Sequence, residues 1–277
     1  TASLNTAVGK EALSANTTGA NNTAVGAYAL DVHTTGQNNT AVGTYALDAQ
    51  TTADGNTAVG YAAGTALTTG EKNVAMGESA LATATTGTYS VAIGVAALYA
   101  NTTGSNNTSL GKSSLESNTT ASHNVAVGVS CMANNTTGAE NVAMGNYALD
   151  ANTTASFNVA VGVHALGACT VGASNVAVGY EALKANTTAA NNTAVGYGAL
   201  QANTTGAQVT AFGVSAGYSN TTGSNNLFLG RDAGYSGSPG GNITTGSNEI
   251  VLGDENITEA HIQVDWTIAS DKRDKTD

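Results

Sequence analysis

Side chains that could catalyse a reaction are few in this chain of 277 residues, and the acidic ones form a row rather than a cluster. A glycan-cleaving enzyme would need a facing pair of carboxylates. Acids such as Asp31, Asp48 and Asp150 mostly occupy the fifth position after a recurring glycine, where other repeats carry residues such as Lys184. This pattern is typical of a solvated row, so we expect no active site and no enzyme activity in the repeats.

The four histidines and two cysteines have no spacing typical of a metal site. The histidines stand at unrelated positions of the repeat: His33, His123, His164 and His261. Cys131 occupies a position that is Ala in most repeats, so we expect a small buried residue there. The sequence thus predicts no metal and no cofactor.

Tyrosines are candidates for contact with a ligand. They cluster just after the recurring glycine, for example at Tyr28, Tyr45 and Tyr147. Exposed aromatic rings can stack on sugars, and they can equally pack between repeats or between subunits. These three residues are therefore candidate glycan contacts, with packing as the alternative.

The element that must position all these residues is a repeat of 17 residues, whose phrase Asn-Thr-Ala-Val-Gly ends in a glycine. Stacked coils tolerate no insertion, because an extra residue shifts every later side chain off its ladder. The period predicts an all-β fold, a parallel β-solenoid or β-roll of 17-residue coils. We call the recurring glycines the ladder glycines; they are Gly9, Gly26, Gly43, Gly60, Gly77, Gly94, Gly111, Gly128, Gly145, Gly162, Gly179, Gly196, Gly213 and Gly230.

The three residues before each ladder glycine alternate as a strand does. The outer two are branched or long, as in Val74 and Met76, whereas the middle one is Ala in most repeats. If the branched face lies outside the coil it needs a partner, and a homotrimeric rod would bury it. After the glycine, an Ala-Leu pair such as Ala29–Leu30 predicts a second apolar side, built as a short strand or a single helical turn.

The glycines and the recurring Asn of the repeat have patterns that predict structural roles. The ladder glycine never changes, which indicates a positive φ or a contact with no room for Cβ. The glycine after Thr-Thr gives way to Ala53, Ala121, Ala155 and Ala189, so that turn accepts an L-residue conformation. Asn recurs four residues before most ladder glycines, where stacked amides can form a ladder. A ligand-facing row of amides is the alternative.

The period fails once, because the next matching glycine after Gly230 is Gly253. The extra residues lie in the Ser-Gly-Ser-Pro-Gly-Gly segment 236–241, and 249–253 resembles a degenerate strand with its glycine. An array of repeats needs an atypical end that covers its open edge. We therefore divide the chain into a repeat shaft (1–230), an irregular cap and neck (231–269) and a final segment (270–277).

Composition excludes two classes of partner. The formal net charge is −11 and only 8 residues are Lys or Arg, whereas nucleic-acid binding needs clustered positive charge. No stretch of the sequence has the length and apolar character of a membrane span. We expect neither nucleic-acid binding nor membrane insertion.

The phrase Asn-Val-Ala-Val-Gly, seen for example at 124–128, resembles the head repeats of trimeric autotransporter adhesins. Those repeats form a left-handed parallel β-roll in a trimer, so the resemblance implies a trimeric β-roll. They are usually shorter than the present repeat. The resemblance is therefore to the architecture rather than to the family.

The phrase Ile-Ala-Ser-Asp-Lys-Arg-Asp-Lys at 268–275 is similar to the opening of the endosialidase-type intramolecular chaperone domain at the C terminus of bacteriophage tail fibres and tailspikes. In that family, a Ser and a Lys five residues later cut the chain just before the Ser. Ser270 and Lys275 match these positions, so the resemblance implies that a neutral Lys275 activates the Ser270 hydroxyl. Residue 274 departs from the pattern, since it is Asp where many relatives have Leu. A simple charged tail is the alternative.

Together these features predict a structural and adhesive protein: the distal part of a phage tail fibre, extracellular on the virion, that contacts the host cell surface. Its partners would be further copies of itself and a host glycan or protein receptor. The alternative is a bacterial surface adhesin or extracellular filament subunit built from the same repeats. An ice-binding solenoid is a third hypothesis, suggested by the Thr pairs. Adjacent strand residues point to opposite faces, however, so paired Thr does not build one flat Thr surface.

Overall fold

The computed structural model describes residues 3–259, so Trp266, Ser270 and Lys275 lie outside the described residues. Within that range the chain is all-β, with strands of three residues each and no helix. The strands are β1 (Thr6–Val8), β2 (Thr23–Val25), β3 (Thr40–Val42), β4 (Thr57–Val59), β5 (Val74–Met76), β6 (Val91–Ile93), β7 (Thr108–Leu110), β8 (Val125–Val127), β9 (Val142–Met144), β10 (Val159–Val161), β11 (Val176–Val178), β12 (Thr193–Val195), β13 (Thr210–Phe212), β14 (Leu227–Leu229) and β15 (Ile250–Leu252).

All of these strands form one parallel sheet in chain order. Each strand pairs in register with the next one, so that Ala7 lies opposite Ala24 and Val8 opposite Val25. One strand per coil is the arrangement of a β-solenoid, and the predicted fold class is confirmed. At a strand spacing of about 4.8 Å, β1 to β15 span roughly 65–70 Å.

The middle residue of each strand faces the interior. Ala24 and Ala41 are completely buried, whereas the flanking Thr23 and Val25 are half-buried on the outer face. The middle strand position holds Ala in β1–β13, except for Ser109 in β7, and Phe228 takes the place of Ala in β14. Phe228 fits because Gly replaces the usual Leu in the two adjacent coils. A Cβ added at Gly217, for example, would lie 2.6 Å from Cδ2 of Phe228.

The second apolar side of the coil consists of turns, not the short strand or single helical turn that the sequence predicted. Ala29 and Leu30 are fully buried, as expected. The Ala29 N–H donates to the carbonyl of Gly26, and the His33 N–H donates to the carbonyl of Leu30, so two turns follow each other. Tyr28 and Leu30 have φ values of 61° and 51°, an arrangement that recurs along the rod. The Leu30 N–H can thereby donate to Ala46 of the next coil while its side chain enters the core.

The sheet continues past Gly230 for one more coil. β14 and β15 pair in register, with Leu227 opposite Ile250, so the predicted degenerate strand is present. The Thr221 N–H donates to Thr244 at 2.7 Å, a bond that spans 23 residues here and 17 elsewhere. The extra residues form a loop at 236–241, in which the Ser238 hydroxyl accepts a hydrogen bond from the Gly234 N–H at 2.9 Å.

Candidate functional site

The ladder glycines combine both features expected of a glycine that no repeat replaces. All fourteen have φ between 109° and 140°, a region that L-residues rarely adopt. A Cβ added at Gly145 would lie 2.5 Å from the carbonyl oxygen of Gly162 in the next coil. The turn glycines lie outside the positive-φ range, and Ala residues such as Ala155 are buried at the equivalent position. The ladder glycine is therefore a structural residue.

The Asn row before each strand is a buried ladder, so the structural hypothesis for it is confirmed. The side-chain oxygen of Asn141 accepts a hydrogen bond from the Asn158 N–H at 2.9 Å. Its amide nitrogen donates to the carbonyl of Ala155 at 2.9 Å. The same two bonds recur along the rod, and the row is closed to solvent. It offers no amide to a ligand.

A second buried ladder, which sequence reasoning missed, runs through the residue before each Thr pair. Asn118 donates to the side-chain oxygen of Asn101 at 2.9 Å and to the carbonyl of Ala121 at 3.0 Å. Other residue types share this position, including His33, which contacts the Gly36 carbonyl at 2.8 Å, and Cys169. The recurring Asn-Thr-Thr phrase was the signal that could have predicted this ladder, but the other residue types at the position interrupt the pattern.

Neither cysteine is placed for reactivity. Both are free and buried. Burial raises the pKa of Cys131 to about 12, so its thiol stays protonated at neutral pH. Burial also raises the pKa of Cys169, whose Sγ donates to the Gly172 carbonyl at 3.2 Å. Cys131 is thus the small buried residue that its position predicted.

The candidate glycan-contact tyrosines lie on the surface but stack on aromatic neighbours. The rings of Tyr28 and Tyr45 are nearly parallel, with centroids 5.2 Å apart. Tyr147 stacks in the same way on His164, also at 5.2 Å. The amino group of Lys10 lies over the Tyr28 ring, 4.9 Å from its centroid. The stacked contacts occupy ring faces that a sugar would use, and the Lys10 amino group also donates a hydrogen bond to the Tyr28 hydroxyl.

The acidic row is half-buried and bonded to its neighbours. The Ser14 hydroxyl donates to a carboxylate oxygen of Asp31 at 2.5 Å, and the Thr65 hydroxyl donates to Asp48 at 2.5 Å. Desolvation raises the pKa of Asp150. Among residues 3–259, no group of three or more His, Cys, Asp and Glu side chains is placed to hold a metal ion.

The two residues of each Thr pair have different roles. The first hydroxyl is used inside the stack, as where Thr136 donates to the carbonyl of Thr153 at 2.8 Å. The second Thr, such as Thr120 or Thr154, is exposed. The solvent-facing Thr residues thus form one row, set apart from the sheet face.

The outer face of the sheet exposes apolar side chains; we call it the outer stripe and define it as the first and third residues of β1–β15. The third position carries the larger exposed side chains, including Leu110 (44% exposed), Met144 (45%) and Phe212 (54%). The residue after the ladder glycine extends this surface in several coils, at Val95, Val129, Val163 and Val214. Because the rows repeat at every coil, the outer stripe runs the length of the described rod.

The chain matches no known protein-family model, and no curated protein is similar to it. In the part that the structure describes, no helix is long and apolar enough to cross a membrane.

Proposed function

We propose that this chain is the shaft of a homotrimeric extracellular fibre, the distal part of a phage tail fibre that contacts the host cell surface. The observation that carries the proposal is the outer stripe, an apolar face that a single chain leaves open to water along its whole rod. Soluble monomers rarely expose a continuous apolar surface of this extent. Burial of that face between copies of the chain removes it from water.

Three copies are proposed because of the resemblance to trimeric adhesin head repeats. Parallel association about a threefold axis places the same coil of each chain at the same height, so equivalent residues meet one another. Each coil of each chain rises by one strand spacing, about 4.8 Å, which keeps this match along the rod.

The fibre of a phage is preferred to a bacterial adhesin because of the phrase that contains Ser270 and Lys275, although these residues lie outside the described part. A bacterial surface adhesin or extracellular filament subunit is the alternative, since the same coils serve both. The full-length sequence separates the two: an autotransporter has a C-terminal membrane anchor, and a fibre has the chaperone domain.

Sedimentation velocity of the folded chain tests the trimer. We expect a species of three times the chain mass of 27.2 kDa, unchanged on dilution through the micromolar range. A monomer at every concentration would contradict the proposal.

Cleavage before Ser270 is a separate proposal with its own test. Protein expressed with the full C-terminal domain is expected to release that domain, and the Ser270→Ala variant is expected to stay uncut on a denaturing gel. Cleavage that persists in Ser270→Ala would exclude the assignment, as would an uncut parent protein.

A further inference from the structure

We propose that a groove at β13–β15 binds a neutral oligosaccharide, and this inference rests on the proposed adhesive function. The groove is a cavity of about 350 Å³, within the size range of small-ligand sites. Its lining residues fall into two sets: the corner residues Gln208, Asn225 and Asn248, called the amide wall, and the first strand residues Thr210, Leu227 and Ile250, called the aliphatic wall. Asn226 also lines it. It therefore joins a row of amides to a row of mostly aliphatic side chains.

The amide wall has hydrogen-bonding capacity to spare. Gln208, Asn225 and Asn248 are exposed and stand at successive coils, each with a φ of 55–63° that fixes it at the corner before its strand. Asn225 donates to Asn248 at 2.8 Å. Within the described chain, the side-chain amide of Gln208, the oxygen of Asn225 and the amide nitrogen of Asn248 make no other side-chain hydrogen bond. Both donors and acceptors are therefore available at the groove.

The aliphatic wall distinguishes this end of the rod. The first strand residue is Thr or Val in every earlier coil, but it is Leu227 in β14 and Ile250 in β15. Ile250 is 63% exposed. A sugar ring presents hydroxyls at its edge and C–H groups on its face, so amides opposite aliphatic side chains suit both parts of it.

The chemistry of the lining argues against two other kinds of ligand, anions and extended peptides. No side chain that lines the groove is charged, and the protein has a net charge of −11, so an anionic ligand gains no partner there. An extended peptide would need unpaired backbone groups. The backbone N–H groups of Thr210 and Leu227 are already bonded to Asn226 and Glu249, and those of Asn225 and Asn248 are bonded to Ala207 and Ser224. Away from the edge strand β15, a ligand must therefore bind through side-chain amides and apolar contact.

The groove spans three coils, so Gln208 and Asn248 are separated by two strand spacings, roughly 10 Å. This length suits a di- or trisaccharide. Thr210, Leu227 and Ile250 are first-position residues of the outer stripe, so the groove is open in a trimer whose contacts lie on the third-position residues and is closed in one that also buries the first positions.

Saturation-transfer NMR with four probes tests the proposal: the neutral maltotriose, cellotriose and triacetylchitotriose, and the acidic sialyllactose. The test pair is Asn225→Ala with Asn248→Ala. The control pair is Asn21→Ala with Asn38→Ala, since these exposed asparagines have the same positive φ and a weaker amide contact of 3.3 Å, but lie beside Thr23 and Thr40. Because the backbone strain is the same, both pairs should melt alike.

We expect at least one neutral trisaccharide to bind the parent protein and the control pair, with affinity reduced at least about tenfold in the test pair. Binding of none of the neutral probes, binding of sialyllactose alone, or equal loss in both pairs would overturn the proposal. The groove lies within one chain, so the sugar-binding proposal can fail while the trimer proposal holds. Sedimentation of the same samples reports the oligomeric state.

Discussion

Most coils have a ladder glycine and a turn glycine that look alike in the sequence, yet only the ladder glycine is required by its backbone conformation. The ladder glycine has a φ near +135° in most coils and faces a carbonyl oxygen of the next coil. The turn glycine has neither constraint on φ nor a fixed identity. Fourteen internal copies made this difference visible in the sequence, because Ala appears at one position and never at the other.

Replacement of a ladder glycine should destabilise the rod. In Gly77→Ala, the side chain must occupy a φ of +132° and would lie 2.5 Å from the carbonyl oxygen of Gly94. We expect a loss of at least about 2 kcal/mol in the free energy of unfolding, measured by denaturant titration at fixed protein concentration.

The matched control is Gly87→Ala, ten positions along the same coil. A Cβ at Gly87 would also lie 2.5 Å from a carbonyl oxygen, that of Gly104, but the φ of Gly87 is not positive, and Ala already occupies the equivalent turn position elsewhere, as at Ala53. We expect a change within about 1 kcal/mol. Equal losses of unfolding free energy in Gly77→Ala and Gly87→Ala would contradict this account. They would show that steric crowding, and not the positive φ of the ladder glycine, causes the destabilisation.

At the scale of the elements, the strands could be predicted and the turns could not. Alternation before the glycine predicted three-residue strands with Ala inward, and the structure has them. The Ala-Leu side was expected as a short strand or a single helical turn because the segment is too short for a stable helix, and a positive φ is rare for Leu. Leu30 adopts one because its backbone bond to Ala46 and its place in the core depend on it. Stacking between coils thus overrides local preference, and a single repeat does not reveal that.

A buried Asn of a ladder should contribute more to the free energy of unfolding than an exposed Asn does. Asn107→Ala removes the donor to the Ala121 carbonyl and the acceptor for the Asn124 N–H, and both groups stay buried. We expect a loss of about 2–4 kcal/mol in the free energy of unfolding. Its neighbour Asn106 is exposed with a φ of 58°, so Asn106→Gly keeps the conformation and should change stability by less than about 1 kcal/mol. Similar effects of the two changes would mean that the ladder is not what holds adjacent coils together.

At the scale of the whole molecule, the rod is a stack of one repeated unit with one interruption. The loop at 236–241 leaves the pairing of β14 and β15 intact, so the sheet accepts an insertion where the chain turns away from the strand. The sequence predicted the place of this insertion and the two distinct faces of each strand, and the structure shows that the Ala face points inward. It could not predict the groove at β13–β15, because that site depends on which side chains neighbouring coils bring together.

The outer stripe is the feature on which the fibre proposal depends, and charge placed on it tests the proposal most directly. Leu110→Glu with Met144→Glu puts carboxylates on the stripe. Thr120→Glu with Thr154→Glu puts them on the exposed Thr row of the same two coils. Sedimentation velocity of the two double variants is the measurement. We predict that the first sediments as a monomer and the second as a trimer. A trimer in both variants would contradict the proposed interface.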